Sequence, residues 1–152
     1  MSGFRFSAVA FLLAASLAGP AAAADPKPPP EPKVIPAPPA GKGQIVFYRQ
    51  GGIGPLISCA VKEGEAKVSS LPPGKYFVLV AEPGKHSYVV SSESKDILNL
   101  EVEADETQYA RCTITMGLFA GRPNLSPADK AAFDAASPKL KMVEAKPAEA
   151  AK

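Results

Sequence analysis

Hydrophobic and polar residues alternate with a period of two through the middle of this chain. Apolar side chains occupy every second position in residues 57–61, 98–102 and 110–114, as strands with one buried face require. Residues 45–48 and 76–80 are instead continuous apolar or aromatic runs, which predict central strands covered on both faces. The pattern therefore predicts an all-β fold.

Tight-turn residues separate these runs. Pro73-Gly74 and Pro83-Gly84 bracket one predicted strand, and a Pro-Gly pair suits the two central positions of a turn. Residues 86–91 form a further β-rich run, and Leu140 and Met142 alternate with polar neighbours as a final edge strand would. About seven short strands at this spacing indicate a sandwich or a partly closed barrel. Of these two architectures, we expect the sandwich, in a small antiparallel form.

One short C-terminal helix is predicted after the main run of strands. Ser126 is a suitable N-cap, and Pro127 suits the first helical position. The helix would continue to about Ala136 and end at Pro138, which cannot extend it. We expect Phe133 to pack the helix onto the sheet.

The first 24 residues have the composition of a secretory signal peptide. Arg5 gives a positive start, residues 8–18 are apolar, and Ala22-Ala23-Ala24 supplies the small residues that signal peptidase accepts. We expect cleavage after Ala24 and a periplasmic or secreted location. No cysteine lies at the cleavage site, so no stable membrane anchor is expected after cleavage. The alternative is an uncleaved leader that anchors the protein, with the next segment as a spacer.

Composition divides the rest of the chain into a linker, a domain and a tail. Eight of the 19 residues in 25–43 are proline, which predicts a disordered linker of polyproline II character. Residues 44–143 are the predicted domain, and 144–152 are a low-complexity, disordered tail.

The mature chain is almost neutral, because removing Arg5 with the leader leaves 16 basic against 15 acidic side chains. A nucleic-acid partner would require a clustered basic excess, so we expect an envelope protein or a glycan instead.

The chain has two cysteines, and both lie on the apolar side of a predicted strand. Cys59 and Cys112 follow the alternation of buried positions, and an even cysteine count in an exported protein favours a structural disulfide. Two separate buried thiols are the first alternative. A redox or metal role is the second, although the chain has no Cys-x-x-Cys motif and only one histidine.

The sequence carries few candidates for catalysis. His86 is the only histidine, and it follows a Pro-Gly-Lys turn, where an exposed structural residue is expected. No nucleophile-elbow motif accompanies it. The carboxylate pairs Glu63/Glu65, Glu101/Glu103 and Asp105/Glu106 are interpreted as solvated surface groups. We therefore expect no catalytic residue, no metal and no cofactor.

Two groups of residues are candidates for a contact surface. Most of the aromatic residues are expected in the core, but an exposed group of tyrosine and arginine, such as Arg49 with Tyr109 and Arg111, would suit a binding face. Residues 116–123 form an apolar, glycine-rich stretch outside the strand pattern, either tucked over the core or exposed as a contact surface. The candidate contact residues are Arg49, Tyr109, Arg111, Leu118, Phe119 and Arg122.

Several short motifs, in order, cover nearly the whole predicted domain. They are Val46-Phe47-Tyr48-Arg49, Leu71-x-x-Gly74-x-Tyr76-Phe77, Glu82-Pro83-Gly84-Lys85-His86, Leu98-Asn99-Leu100-Glu101-Val102, Gln108-Tyr109-x-Arg111, Met116-Gly117 and Arg122-Pro123-x-Leu125. This set resembles the DUF2846 domain, a bacterial family of unknown function. The Pro-Gly-x-His pattern is also similar to PEGA-type and carboxypeptidase-regulatory-like β modules. The chain departs from the family where Glu63-Gly64-Glu65 replaces an Asn-Gly turn and where a lipoprotein cysteine is missing.

The resemblance implies a prealbumin-like β-sandwich outside the cytoplasm, and it implies no catalytic residue. From these observations we expect an exported, non-enzymatic β-sandwich module with a binding or structural role in the cell envelope. The alternative is a small periplasmic hydrolase that uses His86 or one of the carboxylate pairs.

Overall fold

The computed structural model describes residues 27–52, 54 and 56–146, which contain nine strands, one α-helix and one 3₁₀ turn. The predicted signal peptide at 1–24 and the tail from residue 147 lie outside the described residues. The helix is α1 (Lys130–Ala136), and the 3₁₀ turn follows it at Ser137–Lys139. The strands are β1 (Gly43–Arg49), β2 (Cys59–Glu63), β3 (Ala66–Leu71), β4 (Lys75–Ala81), β5 (Gly84–Ser91), β6 (Lys95–Val102), β7 (Thr107–Met116), β8 (Gly121–Ala128) and β9 (Lys141–Met142).

The strands form two packed sheets, which confirms the predicted all-β sandwich with a short C-terminal helix. Sheet A has the order β8-β7-β1-β4-β9, and sheet B has the order β3-β2-β5-β6. Sheet A is mixed, because β1 runs parallel to β7 and β4 runs parallel to β9. The expectation of a wholly antiparallel sandwich was wrong here, since alternation along one strand carries no information on the direction of its neighbour.

Two of the nine strands, β3 and β8, were not predicted. In β3 the buried residues Val68 and Leu71 are three positions apart, and the register with β2 shifts between Val61 and Lys62. A bulge of this kind breaks the period of two. Strand β8 contains two prolines, but it is the edge strand of sheet A and pairs only with β7. An edge strand tolerates proline because one side of it needs no hydrogen bonds.

Strand β1 is buried along its whole length, as the continuous apolar run predicted. Ile45 and Phe47 point into the core between the two sheets, where Phe47 stacks on Phe77 at a ring-centroid distance of 4.9 Å. Val46 and Tyr48 point to the opposite side of sheet A and join a second core beneath α1. Sheet A is therefore the middle layer of three.

A disulfide joins the two sheets through the first core, as the positions of the cysteines predicted. Cys59 lies on β2 of sheet B, Cys112 lies on β7 of sheet A, and their Cα atoms are 6.6 Å apart. Neither residue is exposed beyond 1%. The two alternatives, separate thiols and a redox or metal pair, are not what the structure shows.

Helix α1 begins later than predicted. Asp129 is the N-cap, and its carboxylate accepts a hydrogen bond from the N–H of Ala132 at 2.7 Å. Ser126 and Pro127, predicted as the cap and first position, belong to β8 instead. The predicted end at Ala136 is correct. Phe133 packs the helix onto sheet A, as expected, through ring contacts with Tyr48, Tyr76 and Tyr109.

Both predicted disordered segments contact the domain over part of their length. In the N-terminal arm the N–H of Lys33 donates to the Ser137 hydroxyl at 2.8 Å, and Ile35 packs against the second core. In the C-terminal segment the N–H of Val143 donates to the Tyr76 carbonyl, and that of Lys146 donates to the Val68 carbonyl, both at 2.9 Å. Residues 143–146 therefore connect β4 of sheet A with β3, an edge strand of sheet B.

Replacing both cysteines by alanine is expected to lower the free energy of unfolding by about 4 kcal/mol, because the disulfide restricts the unfolded chain across a long loop. The sequence separation of the pair is 53 residues. Urea denaturation of the oxidised wild type, the reduced wild type and the Cys59→Ala/Cys112→Ala variant measures the effect. An oxidised wild type that reacts with an alkylating reagent at both sites, when unfolded without reductant, would contradict the assignment.

Candidate functional site

The β7–β8 hairpin ends in a stretch without polar side chains, here called the hairpin tip (residues 116–120, Met-Gly-Leu-Phe-Ala). Leu118 is 83% exposed, Phe119 is 95% exposed and Met116 is 75% exposed. Eight large apolar side chains are exposed in the described part of the chain, and three of them lie within these few positions. The sequence left open whether this stretch covers the core, and the structure exposes it as the turn of a hairpin.

A single carboxylate from another turn holds the hairpin tip. Glu93, in the β5–β6 turn, accepts hydrogen bonds from the N–H groups of Phe119 and Ala120, both at 2.6 Å through Oε1. Its Oε2 accepts from the N–H of Leu118 at 3.2 Å. The N–H of Gly117 donates to the Ala120 carbonyl at 2.9 Å. All four N–H groups of residues 117–120 therefore have acceptors within the protein.

Close packing at both ends of the turn explains its glycines. A methyl group at Gly117 would collide with the Ala120 carbonyl oxygen and the Glu93 carboxylate. One at Gly121 would collide with the side chains of Ile57 and Ile114. The turn can approach Glu93 and the loop between β1 and β2 because both positions lack a Cβ. The tip is thus held in one backbone conformation while its side chains remain outside.

The charge of Glu93 is compensated within the same site. The Nε of Arg122 donates to Glu93 Oε2 at 3.2 Å. The N–H of Phe119 is the main reason why the pKa of Glu93 lies below its usual value, and burial opposes this only in part. The N–H groups of Ala120 and Leu118 and the Arg122 side chain act in the same direction as Phe119. Glu93 therefore remains an ionised acceptor over the ordinary pH range.

Sequence reasoning found the tip but missed Glu93. Leu118, Phe119 and Arg122 were candidate contact residues, and the structure brings all three to one end of the sandwich. Glu93 lies 25 residues before Leu118 in the polar stretch Ser91-Ser92-Glu93-Ser94. Nothing in that stretch separates it from an ordinary solvated turn, so only the strand pairing reveals its role.

The other three candidate contact residues are not part of this site. Arg49 is only 3% exposed, and its guanidinium donates to the carbonyls of Ile57, Gly54 and Leu71, the last two at 2.9 and 3.3 Å. Tyr109 is 9% exposed and packs on Phe133. Interpreting these two as surface residues was therefore wrong. A tyrosine or arginine on a strand gives no sign of which side it faces until the second core is known. Arg111 is exposed, as expected.

His86 is held by two oxygen atoms and does not stand alone in solvent. Its Nδ1 is 2.5 Å from Glu63 Oε1, and its Nε2 is 2.7 Å from the Glu82 carbonyl. The ring lies parallel to Tyr88 and borders a depression of about 350 Å³ between β5 and β6. The neighbouring hydroxyl of Ser87 donates to Asn99. Neither ring nitrogen is directed at a hydroxyl group, so these residues form no Ser–His–acid relay.

Both partners of His86 are acceptors, so both ring nitrogens can donate only in the charged imidazolium form. Burial lowers the pKa of His86, but the hydrogen bonds to Glu63 and the Glu82 carbonyl, with the two negative charges, outweigh it and raise the pKa above its ordinary value. The side chains of His86 and Glu63 are 17% and 24% exposed, so the pair is partly shielded from water. When the imidazole is protonated, His86 and Glu63 form a structural ion pair.

Within 27–52, 54 and 56–146, no three histidine, cysteine, aspartate or glutamate side chains come together as metal ligands. No helix in that same part of the chain is long and apolar enough to span a membrane.

Comparison with known proteins gives no relative. No protein-family model matches the chain, and no match is found among curated proteins or solved structures.

Replacing Glu93 by alanine is expected to release the hairpin tip without unfolding the domain. The N–H groups of Leu118, Phe119 and Ala120 lose their acceptor, so their hydrogen exchange should accelerate by at least about tenfold. The free energy of unfolding should change by no more than about 1 kcal/mol, since the site is at the surface. Amide exchange read by NMR measures the first effect. The exposed Glu101→Ala variant is the control, and unchanged exchange at the tip in Glu93→Ala would contradict the assignment.

The His86–Glu63 pair is expected to stabilise the fold more at acidic than at alkaline pH. The pKa of His86 is raised in the folded protein, so its contribution is fully present below the unfolded value of about 6.5 and is lost as the pH rises through the folded value. The difference in free energy of unfolding between wild type and His86→Gln should be larger at about pH 5.5 than at about pH 9. Glu63→Gln should show the same trend. An equal difference at both pH values, or the reverse trend, would refute the ion pair.

Proposed function

We propose that this chain is an exported, non-enzymatic binding module of the cell envelope and that it binds its partner through the hairpin tip. The observation that carries the proposal is the combination of a fixed backbone and exposed apolar side chains at residues 116–120. Exposed Leu118 and Phe119 cost solubility and contribute nothing to the core. Each would gain about 1.5–3 kcal/mol if a partner buried it fully.

The preorganised backbone supports binding over a role in folding. A flexible loop would lose conformational entropy when it binds, whereas the tip is already ordered by Glu93. Glu93 and Arg122 neutralise each other, so no unpaired charge has to be desolvated beside the apolar side chains. The same features prepare the tip for contact with another surface.

Three features support the location outside the cytoplasm. The Cys59–Cys112 disulfide is of the kind that persists in oxidising compartments. The composition of residues 1–24 is that of a secretory leader. The ordered motifs that resemble DUF2846 suggest the same compartment, and membership of that family is proposed on those motifs alone.

The tip is expected to be required for retention in the envelope. The full chain and its Leu118→Ser/Phe119→Ser variant are expressed in a Gram-negative host, and the retained and free extracytoplasmic fractions are compared. The variant should lose at least about tenfold in the ratio of retained to free protein, because it removes two exposed apolar side chains.

The matched control is Val34→Ser/Met142→Ser, which removes two exposed apolar side chains elsewhere, 91% and 67% exposed. It should behave as wild type. Circular dichroism and thiol alkylation confirm that each variant is folded and oxidised. Equal retention of tip variant, control and wild type would refute the proposed function, as would recovery of the wild type with the cytosolic contents.

A further inference from the structure

We propose that the partner of the hairpin tip is a phospholipid surface, into whose interfacial layer Leu118 and Phe119 insert reversibly. This inference rests on the proposed function and specifies its partner. It concerns a shallow contact made by a turn, not a span across the bilayer. The inference rests on an apolar turn whose N–H groups donate to the Glu93 carboxylate. That carboxylate is in turn paired with Arg122.

The hydrogen bonds of the tip meet a requirement that lipid imposes. A turn that enters an apolar layer loses the water that would bind its N–H groups, and each group left without an acceptor costs several kcal/mol in hydrocarbon. Here the N–H groups of residues 117–120 are bonded to Glu93 and to Ala120. The turn can therefore leave water without breaking a donor's hydrogen bond.

The shape of the tip favours a lipid layer over a protein pocket. Leu118 and Phe119 are 83% and 95% exposed, so they project from the hairpin and do not form a flat patch with their neighbours. A projecting pair needs either a pocket of matching shape or a fluid layer that adapts to it. Leucine and phenylalanine are among the residues that interfacial elements bury at the boundary of headgroups and acyl chains.

The charged side chains at the tip, Glu93 and Arg122, suit contact with an anionic membrane surface. Arg122 binds Glu93 through Nε, and its side chain remains 42% exposed, so the guanidinium can also reach a lipid phosphate. A basic group beside an apolar tip adds attraction to anionic headgroups. Glu93 is paired with Arg122, and the nearest carboxylate in sequence, Asp96, accepts a hydrogen bond from the N–H of Leu125 on β8.

The chain contains no tryptophan, so a single one can report the depth of the tip. Phe119→Trp places it at the tip, and Val34→Trp places it at a site on the N-terminal arm that is 91% exposed. Each protein is recovered from the extracytoplasmic fraction, and its intact mass is measured so that all arms contain the same form. Each is mixed with vesicles of phosphatidylethanolamine and phosphatidylglycerol whose acyl chains carry bromine, a contact quencher.

Phe119→Trp should shift its emission to shorter wavelength and be quenched by the brominated lipid, whereas Val34→Trp should do neither. Adding Leu118→Ser to Phe119→Trp should lower the vesicle partition coefficient by at least about tenfold. Absence of quenching, or equal quenching at both positions, would overturn the lipid inference. If Phe119→Trp is not quenched but Leu118→Ser/Phe119→Ser still loses envelope retention, the tip binds a protein or glycan, and only the proposed function survives.

Discussion

Strand β1 has to serve two hydrophobic cores at once, because sheet A is covered on both faces. Ile45 and Phe47 face sheet B, while Val46 and Tyr48 face α1. Polar groups on this strand are buried away from water, and the Tyr48 hydroxyl is left there without a hydrogen-bond partner among the described residues. Gln44, at its start, is 3% exposed, and its amide donates to the Pro36 carbonyl and the Thr107 hydroxyl. The N-terminal arm, β7, α1 and sheet B are therefore all positioned relative to this one strand.

The loop that joins β1 of sheet A to β2 of sheet B is held by contacts at both of its ends. At the end of β1 the buried Arg49 guanidinium binds carbonyl groups in the following loop and at the end of β3. At the start of β2, Cys59 is bonded to Cys112 on β7. Between them, Ile57 lies so close to Gly121 that a Cβ at residue 121 would collide with the Ile57 Cδ1 atom. The start of β8, directly after the hairpin tip, thus packs against a segment that is held at both of its ends.

Local patterns in the sequence were sufficient for the strands whose burial follows a simple period. Alternation located β6 and β7, the continuous run located β1, and the inward position of both cysteines predicted their bond. The missed features depend on partners distant in sequence. Pro127 suggested a helix start because the sequence does not show that β8 is an edge strand. Arg49 looked like a surface residue because its carbonyl partners converge only in the folded chain. Glu93 has no local signature at all.

The hairpin tip exposes leucine and phenylalanine next to a strand edge, a combination that usually invites aggregation through strand pairing. Pairing of that kind needs free backbone N–H groups. At residues 118–120 the Glu93 carboxylate already occupies them, and Gly117 donates to Ala120 across the turn. The contact left to the tip is therefore made through its side chains, with a surface that accepts apolar groups and needs no backbone donors in return. The same carboxylate that shapes the tip thus restricts what it can bind.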